Sequence, residues 1–287
     1  MPMHPEKWRE TCDPFALPYT TFRPVEILGY PHAGNDVFHA RGICGEREVT
    51  AYIKAARQQG AAIQNEVKLL RELDFPHLPR LLDSGCGKVP FSVTEEMPGR
   101  RLSVILGENE TMASLDYMEE YGETLAKFHH LCPVAEPVAD RRFFHTPPRE
   151  MLEKSGLLFL EDYFAAQPGA STRCFCHGDF HYANLLWEGG HISAVLDLEL
   201  AGYGDRDFDI AWALIRRPGQ KFMKTREELQ LFLQGYAAHG DYNAAAVAYY
   251  MAQIYVYFLQ FSQNDAEYCN FVRAWLEKTA AGEEPLA

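Results

Sequence analysis

CFCHGDFHYANLLW, residues 174–187, sets two short apolar runs on either side of a polar loop. Cys174, Phe175 and Cys176 before the loop, and Leu185, Leu186 and Trp187 after it, read as strands. Between them stand His177, Asp179, His181 and Asn184. A polar loop carried between buried strands holds its side chains on a rigid frame, a common setting for reactive groups. Asp197 follows Asn184 by thirteen positions, at the end of the strand-like "ISAVL". A hairpin of the two strands brings Asn184 and Asp197 side by side. Two hard oxygen ligands suit Mg²⁺, which takes a few protein oxygens together with phosphate oxygens. Asp179, off the metal, is then placed to take a proton.

Outward from the loop, the pattern divides the chain in two. Towards the N-terminus, "FRPVEILGY", "DVFHARGI" and "EVTAYIKAAR" alternate as strands joined by turns. "AAIQNEVKLLREL" puts Ile63, Val67, Leu70 and Leu73 on one helical face, closed by Asp74 and Pro76. "LPRLLDSG" and "VPFSVTEEM" read as two more strands, and the proline-bearing start as an irregular arm. Met97, Pro98 and Gly99 interrupt the pattern, and beyond them the chain turns helical. "SLDYMEEYGETLAKFHHL" repeats Leu115, Met118, Tyr121, Leu125 and Phe128 at helical spacing, and "REMLEKSGLLFLEDYFAAQ" reads as one helix weakened at Gly156. Helices dominate again from about Asp207. The expected class is α+β: a small antiparallel β-rich lobe with one helix over residues 1–97, and a larger, mainly helical lobe over residues 98–287 carrying the polar loop.

Composition narrows the function. At 47% hydrophobic and 13% aromatic, the 287 residues bury a substantial core. A net charge of -13 makes nucleic acid or an anionic membrane a poor non-specific partner and suits a cationic small substrate. The greasiest stretch, Ala244 to Phe261, is broken by Gln253 and Gln260 and reads as a buried helix, not a membrane span. Seven cysteines and no secretory signal pattern imply free thiols in the reducing cytoplasm.

"HGDFHYAN" with "VLDLE" resembles the catalytic loop and metal-binding segment of the aminoglycoside phosphotransferase family, a branch of the protein-kinase-like fold with the loop form H-G-D-x-x-x-x-N. "LAGYGDRDFDIAWAL" resembles the family's following segment, and the resemblance runs from about Val25 to Leu214. It implies a small-molecule kinase that moves the γ-phosphate of ATP or GTP to a hydroxyl, with Mg²⁺ as cofactor. Asp179 resembles the catalytic base, and Asn184 and Asp197 the metal ligands. Lys54 resembles the lysine that holds the α- and β-phosphates, and Glu66 its ion-pair partner. The turn from Gly29 to Gly34 sits where the phosphate-covering loop belongs, although Pro31 removes an amide donor. "SVTEEMPG" resembles the hinge strand, so the backbone of Glu95 and Met97 would face the nucleotide base. The resemblance implies an aminoglycoside or another cationic or sugar-like alcohol as a candidate acceptor, without naming which.

Other residues carry plainer readings. His177 reads as structural. Cys174, Cys176, His177 and His181 invite a zinc reading, but the two cysteines lie at strand spacing before a loop, and the resemblance implies that their positions are apolar core. His129 and His130 sit at a helix end, where a cation is mildly favoured. Asp209 braces the loop, and Asp207 caps the helix that follows. Trp212, Tyr250, Tyr255 and Tyr257 have the spacing of core residues or of a pocket lining. The rival function is a catalytically silent kinase-like protein that binds nucleotide or a partner; the intact set Lys54, Asp179, Asn184 and Asp197 argues against it.

Overall fold

The computed structural model describes residues 12–31, 34–57, 61–107, 114–166, 168 and 172–283. Most of the expected N-terminal arm (1–11) and the middle of the Gly29–Gly34 turn (32–33) lie outside the described residues. The chain divides into two compact units. One is Met1–Gly99 with Ser193–Ala201, the other Arg100–Ile192 with Gly202–Ala287.

The first unit is a five-stranded antiparallel sheet. Its strands are β1 (Phe22–Gly29), β2 (Asp36–Cys44), β3 (Arg47–Ala55), β4 (Leu81–Gly85) and β5 (Phe91–Glu95), in the order β1-β2-β3-β5-β4, with helix α1 (Ile63–Glu72) inserted after β3. Period-two alternation explains the layering. On β3, Val49, Ala51, Ile53 and Ala55 are buried with Phe22, Phe38, Phe91 and Val93 in one core, and Lys54 alternates to the other face. Helix α1 buries Ile63, Val67 and Leu69, and Glu66 with them. Leu70 and Leu73, expected on that face, are only half-buried. The apolar period was blind to a carboxylate that earns its burial through an ion pair.

Ser193–Ala201 belongs to this unit for a visible reason. Asn65 Nδ2 on α1 faces the carbonyls of Leu198 (3.3 Å), Glu199 (3.1 Å) and Ala201 (2.8 Å), and Val195 N–H donates to His77 O at 2.9 Å. A contiguous boundary near Pro98 does not convey this return of the chain.

In the second unit, α2 (Leu102–Ile105) and α3 (Leu115–His129) precede α4 (Arg149–Ser155) and α5 (Glu161–Ala165). The single helix expected over that last pair is in fact interrupted. Gly156 takes a left-handed φ of 66°, closes α4, and a 3₁₀ turn follows at Leu158–Leu160. Then come β6 (Arg173–Cys176), β7 (Leu185–Glu188) and β8 (His191–Val195), the last two joined as a hairpin. The chain passes into the first unit at Ser193 and returns for β9 (Gly202–Asp205), α6 (Arg206–Leu214), α7 (Arg226–Ala237), α8 (Ala244–Leu259) and α9 (Ala266–Ala280).

Helices α3 and α7 approach through facing glycines. A Cβ on Gly122 would stand 1.9 Å from Phe232 O, and one on Gly235 would stand 1.9 Å from Glu119 O. Strand β6 pairs antiparallel with β9, which ties the strand before the polar loop to the strand before α6. Helix α8 is buried over most of its circumference, and among the described residues no helix is long and apolar enough to cross a membrane.

Candidate active site

The first unit gathers three carboxylates around one ammonium. Lys54 Nζ lies 2.8 Å from Glu66 Oε2, 3.0 Å from Asp197 Oδ1 and 3.1 Å from Glu199 Oε1. Burial alone would push the Lys54 ammonium down. The carboxylates of Glu66, Asp197 and Glu199 outweigh it and hold the group well above its ordinary value. Burial raises the Glu66 carboxyl, with Lys54 opposing. Among the described residues Asp197 is one of two non-glycine residues with a positive φ, 68°. Such a conformation costs on the order of 1–3 kcal/mol and persists where the surroundings impose it. The expected strand therefore ends at Val195, and a 3₁₀ turn begins at Leu198.

Glu199 was not singled out from the sequence, although it stands two residues after Asp197 in "VLDLE". It also accepts from Asn35 Nδ2 at 2.7 Å, which ties the start of β2 to this cluster. Below the Gly29–Gly34 turn, Arg57 reaches Asp36 (2.6 Å) and the Tyr30 hydroxyl (2.5 Å), fixing the base of the turn. Gly29 pairs with His39 on β2, and Gly34 has a φ of 92°, open to glycine. At the end of β5, Glu95 N–H donates to Arg80 O and Glu96 N–H to Thr50 O, while Met97 N–H has no partner among the described residues.

The second unit holds the polar loop from beneath and from the side. Gly178, with φ 76°, makes a turn that other residues resist. Asp209 on α6 accepts from His177 N (2.9 Å) and Gly178 N (3.0 Å). The His177 ring is wholly buried, and its Nδ1 accepts from Asp179 N at 3.2 Å. His129 ends α3 as expected, and its ring has a further task. Its ring lies between Asp209 Oδ2 (3.1 Å) and the Tyr236 hydroxyl (2.7 Å). Burial would lower this imidazole, but Asp209 and Cys174 hold it up at about 9. The helix cap is also corrected. Asp205 caps α6, accepting from Asp207 N and Phe208 N, whereas Asp207 takes the Arg206 guanidinium and Asn243 N. Cys174 and Cys176 gather with His129, not with His177 and His181, and both nitrogens of that ring are already hydrogen-bonded.

Asp179 is the focus of the loop. Trp212 Nε1 donates to its Oδ1 at 2.8 Å, and Asn184 Nδ2 donates to its Oδ2 at 3.1 Å and to its backbone O at 2.9 Å. His181 Nε2 stands 3.6 Å from Oδ2, a Coulomb contact and not a hydrogen bond. Burial would raise the Asp179 carboxyl, but His181, Arg217 and His177 hold it down at about 2. Trp212, seen from its spacing only as core or pocket lining, is thus bonded to the carboxylate. Tyr250 donates to Asp205 at 2.5 Å, Tyr255 accepts from Arg216 N, and Tyr257 lies against Phe143.

The candidate metal ligands suit a hard divalent cation. Asn184 spends its amide nitrogen on Asp179, which leaves the amide oxygen without a partner among the described residues. Asp197 offers a carboxylate whose side chain is 41% exposed. Both are oxygen donors of the kind Mg²⁺ takes.

An antiparallel sheet with a buried lysine–glutamate pair, and a helical unit with an aspartate loop, define the protein-kinase-like class. Residues 35–248 match the model of the phosphotransferase enzyme family, and the chain belongs to that family, an enzyme of phosphoryl transfer. A comparison with curated proteins gives no match. Among solved structures, an amicoumacin kinase in complex with AMP-PNP, Ca²⁺ and Ami is similar at 13% identity and TM-score 0.61, over 98% of this chain and 97% of that one. A thermostable mutant of an aminoglycoside phosphotransferase, with ADP and hygromycin B, is similar at 12% identity and TM-score 0.58, over 92% and 94%. The macrolide 2'-phosphotransferase of Brachybacterium faecium, an apoenzyme, is similar at 20% identity and TM-score 0.54, over 92% of each chain.

Proposed function

We propose that this enzyme transfers the γ-phosphate of ATP or GTP to a hydroxyl of a small molecule. The observation that carries the reading is the Lys54 cluster: a buried ammonium that Glu66 holds in place, beside an aspartate in a left-handed backbone. That is a built site for phosphate and metal, expensive to keep for structure alone. The nucleotide complexes of the kinase-like neighbours support it.

In this reading Lys54 holds the α- and β-phosphates as a compact charge, and Glu66 orients it. Met97 N–H and the backbone at Glu95 meet the base, and the turn at Gly29 and Gly34 covers the phosphates. Asp197 and Asn184 would hold Mg²⁺, which would supply neutralisation of phosphate charge when bound. Asp179, ionised and aimed by Trp212 and Asn184, orients the acceptor hydroxyl and receives its proton. The loose transition state asks for positioning more than for a strong base, and a carboxyl held at about 2 is a weak one. Seven free cysteines fit a reducing compartment.

Melting with and without Mg·ATP or Mg·GTP tests the donor half of the reading. Phosphate transfer from labelled nucleotide to a set of small alcohols tests the acceptor half. Stabilisation with transfer is the expected result. Stabilisation without transfer to any alcohol would favour a silent nucleotide binder, and neither would remove the reading.

A further inference from the structure

The net charge of -13 points to a cationic acceptor, but the residues around Asp179 carry the opposite sign. The indole of Trp212, bonded to Asp179, is flanked by two guanidiniums. Arg141 Cζ lies 5.1 Å and Arg217 Cζ 4.8 Å from its ring centroid. Arg141 also stacks at 5.0 Å on Phe144. Both cations are partly buried, and among the described residues their hydrogen bonds go to neutral carbonyls. Arg141 Nη2 donates to Gly178 O at 2.6 Å, next to Asp179 itself. Arg217 Nη2 donates to Trp212 O at 2.9 Å, and Nη1 to Ile215 O at 3.5 Å. Among the described residues neither has a carboxylate within ion-pair distance.

Elsewhere the molecule does not leave its most buried arginines in that condition. Arg216, 2% exposed, is paired with Glu267, and Arg206, 8% exposed, with Asp207 and Asp241. A cation withdrawn from water is costly unless an anion meets it. Burial accordingly pushes both the Arg141 and the Arg217 guanidinium below their ordinary values, with Asp179 opposing. Three carboxylates of this unit are already committed. Asp209 holds the loop and His129, Asp205 caps α6 and takes Tyr250, and Asp207 holds Arg206. Each guanidinium keeps N–H groups with no partner among the described residues, and a planar fork of donors is the group best shaped for a carboxylate or phosphate.

We infer that the acceptor alcohol carries an oxyanion group, a carboxylate or a phosphate, which Arg141 and Arg217 take while its hydroxyl is presented to Asp179. The inference rests on the phosphotransferase reading, since it needs the acceptor hydroxyl at Asp179. The local field, not the net charge, then selects the substrate. Trp212 positions both ends, donating to the base and carrying the two cations on its ring.

The test is transfer from Mg·ATP to alcohols matched in scaffold and different in charge: gluconate, glucose 6-phosphate, glucose, glucosamine and kanamycin, followed by a wider set of hydroxy acids, neutral polyols and amino alcohols. The expected result is that anionic members rank first in kcat/KM, with gluconate-type and phosphate-bearing arms separating the two oxyanion sources. Arg141→Gln and Arg217→Gln should raise KM for the best anionic acceptor by about 10–100-fold, the loss of one or two charge-assisted bonds. Arg217→Lys, which keeps charge but not the fork, should recover part of it. An equal rise in KM for ATP would assign the guanidiniums to the nucleotide phosphates and overturn the inference. A preference for kanamycin or glucosamine, or no transfer to any anionic alcohol, would overturn it too. Transfer to the neutral or cationic alcohols keeps these outcomes apart from failure of the phosphotransferase reading, in which no alcohol of any charge is phosphorylated.

Discussion

The Lys54 cluster and the Asp179 loop are built with opposite charge surpluses. In the first unit one ammonium meets three carboxylates, those of Glu66, Asp197 and Glu199. In the second unit one carboxylate, Asp179, feels Arg217, His181 and His177 and lies beside Arg141. A cluster with spare negative charge is prepared for a divalent cation, and one with spare positive charge for an anion. Either cluster alone would read as a structural ion network. Their opposite signs in a phosphotransferase are what give each a separate task.

The largest effect should come from removing the charge at the centre of the second cluster. Asp179→Asn keeps the size and removes the charge, and its single amide oxygen can accept from only one of the two donors, Trp212 Nε1 and Asn184 Nδ2. Turnover should fall by about 10²–10⁴, the range for loss of a positioned general base, with a loose transition state favouring the lower end. The Mg·ATP dissociation constant, measured by titration calorimetry, should change only a few fold. If affinity collapsed with turnover, the two clusters would not have separable tasks.

The first cluster is expected to fail differently. Lys54→Met strands Glu66 among like charges in a buried position. Removal of one partner from a buried ion pair costs about 3–5 kcal/mol, so both the melting temperature and nucleotide affinity should drop. Adding Glu66→Gln removes the stranded charge and should restore much of the stability but none of the affinity. Recovery of nucleotide binding in the double variant would show that the pair serves the fold only.

The difference between the clusters also explains how far each was legible in the sequence. Asp179, Asn184 and Asp197 announce themselves because they lie on short segments with fixed spacing and flanking strands. Lys54 and Glu66 sit in regular elements, where period-two and helical patterns say only which face they share. The pattern misjudged α1, whose buried face includes a glutamate. The return of Ser193–Ala201 to the first unit depends on three carbonyls gathered by one asparagine, Asn65, which no local signal marks. His129, Arg141, Trp212 and Arg217 converge on the loop from three separate stretches of chain. Each looks ordinary where it stands in the sequence, and only tertiary packing reveals the convergence. Gly156 was legible as a weakness in a helix but not as its end, because a left-handed cap needs the following turn to be known.

A smaller effect should follow Trp212→Phe. The change keeps an aromatic ring for the guanidiniums and deletes the one donor to Asp179 Oδ1. A hydrogen bond to a charged group contributes about 1.5–3 kcal/mol, so a fall in kcat of about tenfold or somewhat more is expected. The melting temperature should change little. A much larger loss with normal folding would mean that the indole itself contacts the acceptor.

The smallest effect concerns His181 and fixes the protonation state of the loop. Burial and the nearby Arg217 push the His181 imidazole below its ordinary 6.5, so it is neutral at pH 7. Asp179, held at about 2 against an ordinary 3.8, stays ionised at every pH where the enzyme is assayed. Its folded value is depressed, so its contribution to stability is present above about pH 4 and is lost as pH falls towards 2. His181→Gln removes one of the groups that hold Asp179 down, and the carboxyl then moves back towards 3.8. At pH 7 that carboxyl is ionised either way, and the lost contact was one of 3.6 Å. Turnover at pH 7 should therefore change by less than about fivefold, in keeping with a pair contributing at most about 1 kcal/mol. Acid unfolding, followed by circular dichroism from pH 6 to pH 2, should begin at no higher a pH than in the wild type, because the side chain whose protonation the fold resists is gone and Asp179 is less depressed. A loss of more than tenfold at pH 7 with an unchanged acid transition would mean that His181 touches the reacting groups, and the positive surplus of the second cluster would then owe less to its arginines.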